Sequence, residues 1–174
     1  MTEEDVNRMM EEYRTTVLEL FAAGSPAIVG NASSRHAAIL IEEMVKHAEH
    51  SFYAVTGHMN TAVWNESVMK ALSDAVDRGV SIKLVVEGDC APILAGTMPE
   101  TVRKFVKRVS QDVVNKLPGK ISHCATGDGK SMRIETDDKQ KSAIFSANNP
   151  DLASRVAGVV KGLYELSSDD CDAA

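Results

Sequence analysis

Hydrophobic positions recur along the chain with two different periods, and the change of period predicts alternating helices and strands. Apolar residues three and four positions apart are typical of amphipathic helices, and this spacing predicts helices over residues 2–23, 33–48 and 63–78. Between them, residues 51–56 are rich in β-branched and aromatic side chains, and residues 80–86 form a nearly continuous apolar run. Both segments are predicted to be strands.

The two predicted strands flank a helix, and this order has a topological consequence. A strand, a helix and a second strand of this spacing form a crossover unit, which joins parallel neighbours in one sheet. The uninterrupted apolar character of residues 80–86 is expected of a strand that is covered on both faces. We therefore predict a buried pair of parallel strands.

The second half of the chain predicts a helix, further strands and a last helix. Thr97-Met98-Pro99-Glu100 has the form of a capping box and predicts a helix over residues 97–111. Asn149-Pro150 is a strong helix start, with Asn as the cap and Pro as the first residue, and predicts a last helix that ends near Leu166. The remaining strands are predicted over residues 27–30, 113–117, 120–126, 132–136 and 143–146.

These elements predict the α/β fold class, with a mixed sheet that has a parallel β-α-β core and is flanked by helices. The length of 174 residues fits one domain. We predict that this domain covers residues 25–166, that an N-terminal helix occupies residues 1–24, and that residues 167–174 form an acidic, disordered tail.

Composition narrows the functional classes. The formal net charge of −6 opposes long-range attraction to nucleic acid, so a nucleic-acid partner is not favoured. The three cysteines are far apart and form no Cys-x-x-Cys pair, which predicts neither a zinc site nor a disulfide framework. We expect no cofactor, no metal, no membrane association and a cytoplasmic location, because the sequence shows no nucleotide-binding loop, no leader pattern and no long apolar run.

Three short segments carry a resemblance to a known family. They are Arg78-Gly79-Val80 at a helix-to-strand step, Asp128-Gly129-Lys130 at a turn, and Phe145-Ser146-Ala147-Asn148 at the end of a strand. In their order and spacing, residues 37–164 resemble the phospholipase D-like superfamily. This resemblance implies a phosphodiester-cleaving fold in which a His-x-Lys-x4-Asp motif supplies a nucleophilic histidine.

The family motif is degenerate in this chain, and it can be placed in two ways. If Asp128 is the family aspartate, the nucleophile position falls on Ile121 and the lysine position on His123. If Lys130 is the family lysine, the nucleophile position falls on Asp128 and the acid position on Glu135. We prefer the first placement because Asp128 precedes a turn. Both placements lack the nucleophilic imidazole, and only a carboxylate such as Asp128 remains as a potential nucleophile.

The resemblance therefore predicts a non-catalytic phospholipase D-like domain that acts as a binding or regulatory module. It implies a homodimer, because the family pocket lies where two units meet, and an anionic small molecule, such as a phosphate-bearing ligand, or a protein as partner. Removing Lys130 is expected to weaken the binding of a phosphate-bearing ligand. The ligand-binding residues are predicted to be Tyr53, His58, His123, Asp128, Lys130, Ser146 and Asn148.

Two alternatives remain open at this point. In the first, the chain is a divergent phosphodiesterase or nuclease in which His123 or Asp128 is catalytic, with His58 as a second imidazole for acid–base chemistry. In the second, it is a structural protein-interaction domain that uses the N-terminal helix and the basic segment 103–108, which lies in a predicted helix.

Overall fold

The computed structural model describes residues 2–137, 142–168 and 171. Within these residues the chain forms a seven-stranded mixed sheet in the order β1-β7-β6-β5-β2-β3-β4, flanked by helices. The strands are β1 Val29–Asn31, β2 Ser51–Thr56, β3 Ser81–Val86, β4 Val106–Arg108, β5 Cys124–Gly127, β6 Ser131–Asp137 and β7 Ser142–Ser146. The helices are α1 Glu3–Ala22, α2 Ser34–His47, α3 Glu66–Asp77, α4 Ala91–Leu94, α5 Glu100–Arg103, α6 Gln111–Lys116 and α7 Pro150–Leu166.

The parallel core is confirmed. β2 and β3 pair in parallel from Ser51 with Ser81 to Thr56 with Val86, and α3 connects them. β3 also pairs in parallel with β4, whereas the other neighbouring strands are antiparallel. The predicted α/β class with a mixed sheet is therefore correct. α3 begins at Glu66 rather than at residue 63, because the Asn65 side chain accepts the backbone N–H of Val68 and caps the helix there.

Two predictions in the middle of the chain are wrong. The predicted helix over residues 97–111 has only one turn, α5, and its Thr-x-x-Glu signature does not cap it, because the hydroxyl of Thr97 donates to the carbonyl of Pro92 instead. Val106–Arg108 then joins the sheet as β4. Val106 and Val109 are both buried, Val106 within β4 and Val109 directly after it, where its backbone N–H donates to the carbonyl of Val86.

The structure also corrects the strand that we expected over residues 113–117. This segment belongs to the short helix α6, which the hydroxyl of Ser110 caps by accepting the backbone N–H of Val113. The basic segment 103–108 is consequently divided between α5 and β4 and offers no single helical face. The protein-interaction alternative loses one of its two proposed surfaces.

The sheet is covered on both faces, which accounts for the continuous apolar run of β3. On one face, Phe52, Leu84 and Phe145 pack against α1, α2 and α3 in the larger core cluster. On the other face, Val55 and Val85 pack against α7 and α6. α1 belongs to the first layer, because Val17 is fully buried and Arg14 forms ion pairs with Glu42 and Glu43 of α2.

The C-terminal segment is ordered at its beginning. Ser168 forms two backbone hydrogen bonds with Arg108 of β4, of 2.9 and 3.1 Å, so the predicted disorder does not hold at this residue. Residues 138–141, 169–170 and 172–174 lie outside the described part of the chain, and so does most of the predicted acidic tail. In the part that is described, no helix has the length and apolar character that crossing a membrane requires.

Candidate functional site

Two clefts lie at opposite ends of the sheet. The upper cleft, at the carboxyl ends of β2 and β3, has a volume of about 550 Å3 and lies between the sheet and the first turns of α2. The lower cleft, at the amino ends of the same strands, has a volume of about 340 Å3. Open α/β sheets place ligands beyond the carboxyl ends of their strands, which favours the upper cleft as the binding site.

Arg133 is the central charge of the upper cleft. It projects from β6 and is only 9% exposed. In the described residues no carboxylate lies within ion-pair distance of its guanidinium, and its buried Nε has no hydrogen-bond partner. Burial lowers the pKa of the Arg133 side chain. Glu135 opposes this effect from beyond ion-pair distance, and an arginine keeps its charge in a protein, so the cleft contains a buried cation with no directly paired carboxylate among the described residues.

The amino terminus of α2 adds a second source of positive potential. Ser33 caps this 14-residue helix by accepting the backbone N–H of His36, and both Ser33 and Ser34 line the cleft. The unpaired N–H groups at a helix amino terminus, together with the helix dipole, attract anions. The first turn of α2 contains no acidic residue that would neutralise this potential.

His123 lies at the opposite side of the cleft from α2, between two carboxylates. Its Nδ1 is 2.6 Å from Oε2 of Glu135, which is a hydrogen bond, and its Nε2 is 3.9 Å from Oε2 of Glu87, which is an ion-pair distance only. Glu87, followed by Glu135, raises the pKa of His123 against the opposing effect of burial. The carboxylate of Glu135 therefore orients the ring and favours its protonated form.

His58 occupies the rim of the cleft in the loop that follows β2. Its Nδ1 accepts the backbone N–H of Asp89 at 3.3 Å. A neutral imidazole that accepts at Nδ1 carries its proton on Nε2, so His58 presents a donor to the cleft. The ring lies where a side chain at Gly88 would have to be, because a Cβ there would stand 2.3 Å from it.

Unpartnered buried polar atoms concentrate around the upper cleft. Five such atoms occur among the described residues; Arg133 lines this cleft, Asn31 and His36 are close in sequence to its lining residues Ser33 and Ser34, Glu87 is 3.9 Å from the lining residue His123, and the ring of Tyr13 lies against His36. Such groups are rare in native structures, because each costs a few kcal/mol unless a water or a ligand completes it. The five atoms are Tyr13 Oη, Asn31 Oδ1, His36 Nδ1, Glu87 Oε1 and Arg133 Nε.

In the lower cleft, the carboxylate of Asp128 has its hydrogen-bond partners within the protein. Its carboxylate accepts the backbone N–H groups of Glu49, His50 and Ser51 at 2.8–2.9 Å, where the chain enters β2. Burial acts to raise the pKa of Asp128, but these three hydrogen bonds outweigh it and the net shift is downward. Asp128 also has a positive φ of 53°, at the turn between β5 and β6. These contacts give it a structural role.

The other polar residues of the lower cleft are also engaged or exposed. The Asn148 side chain donates to the carbonyl of Gly24 at 3.0 Å and so ties the start of α7 to the end of α1. Ser146 is fully buried and its hydroxyl accepts the backbone N–H of Asn148 at 3.4 Å. Lys130 is exposed at the cleft edge.

The structure does not bring the seven predicted ligand-binding residues into one pocket. His58 and His123 line the upper cleft, whereas Asp128, Lys130 and Asn148 line the lower one. The remaining two line neither cleft: Ser146 is buried beside the lower one, and Tyr53 lies on the α7 face of the sheet, with the ammonium group of Lys161 5.4 Å from its ring centre. A ligand-binding role for each of the seven residues stays a prediction.

Sequence reasoning missed Arg133 and the capping role of Ser33 in the upper cleft, and it named Glu135 only as the acid position of the second motif placement. A signal for Arg133 was present in Ser131-Met132-Arg133-Ile134-Glu135, where charged and apolar residues alternate. Such alternation is typical of a strand with one face toward solvent. The face that carries Arg133 and Glu135 is instead partly covered by α1 and α2, so these charges border a cleft.

This architecture defines the chain as a protein with the phospholipase D-like fold. The structure resembles the phospholipase D family member Nuc from Salmonella typhimurium, with a TM-score of 0.59 and 17% identity over 83% of this chain and 97% of Nuc. It also resembles NucT from Helicobacter pylori, with a TM-score of 0.51 and 8% identity over 81% of this chain and 98% of NucT.

A third similar structure is that of a DNA-binding protein. TrmBL2, an archaeal chromatin protein with a novel mode of DNA binding, gives a TM-score of 0.59 and 12% identity over 96% of this chain and 66% of its own. No protein-family model matches the sequence. No curated protein matches it either. At these identities the three structures establish the shared fold, and the functional conclusion depends on the clefts.

Proposed function

We propose that this chain binds a phosphate-bearing ligand in the upper cleft and acts as a binding or regulatory module of the phospholipase D-like fold. Arg133 and the amino terminus of α2 hold the phosphate oxygens, and the Nε2 proton of His58 supplies a further donor at the rim. Arginine suits this role because its planar fork of donors matches the geometry of a phosphate.

One observation supports this proposal most strongly: Arg133, a residue only 9% exposed, borders a ligand-sized cavity, and no carboxylate of the described chain lies within ion-pair distance of its guanidinium. A buried charge without a partner is strongly unfavourable, and proteins retain such charges where a ligand or function requires them. The helix terminus beside it has the same sign of potential. An anion is the ligand that both features attract.

Isothermal titration calorimetry with inorganic phosphate and with a simple phosphomonoester tests the proposal. We expect saturable binding to the native chain and a loss of at least about tenfold in affinity for Arg133→Met, which keeps the length of the side chain without its charge. Arg155→Met is the matched control, since Arg155 is exposed on α7. Absence of binding by the native chain, or equal affinities for both variants, would contradict the proposal.

A second candidate function, phosphodiester hydrolysis, is favoured by the pairing of His123 with Glu135. A carboxylate that accepts the Nδ1 proton leaves Nε2 as the reactive atom of a nucleophilic histidine. Nε2 would attack phosphorus, the ester oxygen would leave with a proton from solvent, and water would then cleave the phosphohistidine. The phospholipase D family membership of Nuc supports this candidate.

Turnover of a generic phosphodiester and of plasmid DNA separates the two candidates. Hydrolysis requires His123 to be deprotonated, and its raised pKa means that the rate increases as pH rises through that pKa. Turnover that is abolished in His123→Gln, and that is unchanged in His50→Gln, would establish an enzyme. Binding without turnover supports the non-catalytic module.

A homodimer and a cytoplasmic location complete the proposed function as expectations. The first rests on the resemblance, in which two units meet at the pocket, and light scattering coupled to gel filtration tests it. A monomer that retains phosphate binding would show that one copy of this chain suffices for the site.

A further inference from the structure

We infer that the ligand of the upper cleft is a small, hydroxyl-bearing phosphomonoester rather than a nucleic-acid strand. This inference rests on the proposed function and specifies the class of ligand that the same site takes. Three features of the cleft support it: the enclosure of the cation, the charge of the rim and the polar groups along the walls.

The enclosure of Arg133 limits how many substituents the phosphate can carry. Only 9% of this residue is exposed, and its Nε is fully enclosed. A phosphate within a strand carries two ester groups, and both chains have to leave the site in different directions. A phosphomonoester has one substituent, so three oxygens can turn inward toward Arg133 and the amino terminus of α2 while the single substituent points to the opening.

The negative charge at the rim of the upper cleft disfavours the binding of a polyanion such as a nucleic-acid strand. Glu87 and Glu135 lie beside His123, and Asp89 is largely exposed in the loop after β3. Arg108 lies 3.8 Å from Asp89 and offsets only that charge. These three carboxylates outnumber the two cationic side chains beside them, His123 and Arg108, and together with the net charge of −6 they repel a chain of phosphates, whereas a small anion that reaches Arg133 places few charges near the rim.

The walls between the rim and Arg133 provide neutral polar groups. Thr56, Asn60 and Thr61 line the side formed by β2 and its following loop, and Ser33 and Ser34 line the side formed by α2. Trp64 donates its Nε1 proton to the hydroxyl of Thr56 at 3.2 Å and so fixes one of these groups. The side-chain oxygens of Ser33, Thr56 and Asn60 each accept a hydrogen bond within the protein, and their O–H and N–H groups remain as donors to the hydroxyl groups of a polyol or sugar. The volume of about 550 Å3 is in the range of small-molecule sites.

Calorimetry with six probes tests the inference. The probes are inorganic phosphate, ribose 5-phosphate, the methyl diester of ribose 5-phosphate, ribose, and a single-stranded oligonucleotide with or without a 5′-phosphate. We expect ribose 5-phosphate to bind at least about tenfold more tightly than its methyl diester and than inorganic phosphate, and neither oligonucleotide to bind. Arg133→Met removes this binding, with Arg133→Gln as a second variant should the first fail to fold. Asn60→Ala weakens ribose 5-phosphate binding without affecting inorganic phosphate.

The outcomes separate this inference from the function on which it rests. Binding of either oligonucleotide as tightly as ribose 5-phosphate, with loss in the Arg133 variants, overturns the inference and leaves a phosphate site in the upper cleft. Equal affinities for the monoester and the diester also overturn it. If no probe binds to the native chain, the proposed function itself fails.

Discussion

The upper and lower clefts lie at the two ends of one sheet, and both contain charged residues. These charged groups differ in the partners that the protein gives them. In the lower cleft, Asp128 accepts three backbone N–H groups and Asn148 joins two helices. In the upper cleft, Arg133 has no such partner within the described chain. A polar group that the protein satisfies is part of its architecture, whereas one that is left unsatisfied at a cavity indicates a ligand.

The largest change in stability is expected from removing the carboxylate of Asp128. Asp128→Ala leaves three backbone N–H groups at the start of β2 without their charged acceptor, and we expect the free energy of unfolding to fall by about 2–4 kcal/mol. Urea denaturation measures this change. The control is Asp77→Ala, since Asp77 is exposed on α3 and should change stability by less than about 0.5 kcal/mol. An equally small effect of Asp128→Ala would remove the contrast between the clefts.

The same carboxylate predicts an acid dependence of stability. The pKa of Asp128 is lowered in the folded chain, so its contribution is fully present above the ordinary aspartate value of 3.8 and is lost as pH falls through the folded pKa. The difference in stability between the native chain and Asp128→Asn should therefore diminish at acidic pH.

Removing the charge of Arg133 is expected to stabilise the protein, whereas removing that of Asp128 is expected to destabilise it. Arg133→Met replaces an unpaired buried cation by an apolar side chain of similar length, and we expect the ligand-free protein to gain about 1–3 kcal/mol in the free energy of unfolding. Arg155→Met, at an exposed position, should change it by less than about 0.5 kcal/mol. A loss of stability in Arg133→Met would mean that the guanidinium is paired after all, and that the upper cleft resembles the lower one.

A smaller, pH-dependent effect is expected for His123. Because its pKa is raised above the ordinary value of 6.5, its stabilising contribution is fully present below that value and is lost as pH rises through the folded pKa. Unfolding free energies measured at about pH 5.5 and about pH 8.5 should therefore differ more for the native chain than for His123→Gln. An equal difference in the native chain and in His123→Gln would contradict this prediction.

Removing Lys130 is expected to have the smallest effect on stability and on phosphate affinity, although the sequence analysis predicted Lys130 as a phosphate ligand. Lys130 is exposed in the lower cleft, at the opposite end of the sheet from Arg133. Lys130→Ala should change neither the free energy of unfolding by more than about 0.5 kcal/mol nor the affinity for phosphate. If phosphate binding is lost in Lys130→Ala and kept in Arg133→Met, the lower cleft is the binding site and our assignment of the two ends is reversed.

The elements with strong local signals were predicted correctly. α7 begins after Asn149 and ends at Leu166 as expected, because its cap and its first-turn proline act within a few residues. β2 has the predicted bounds, Ser51–Thr56. The segment 97–117 was misassigned, because Val106 and Val109 become buried only by joining the edge of a sheet whose other strands are distant in sequence.

The hydrophobic periodicity along this sequence determined the α/β class and the parallel pairing of β2 with β3, and the capping residues determined the ends of the longer helices. Periodicity, caps and turns are local properties of the chain. Only the tertiary structure decided which charges became isolated. Asp128 accepts three backbone N–H groups, whereas the Nε–H of Arg133 has no acceptor among the described residues, and both outcomes depend on how segments that are far apart in sequence meet.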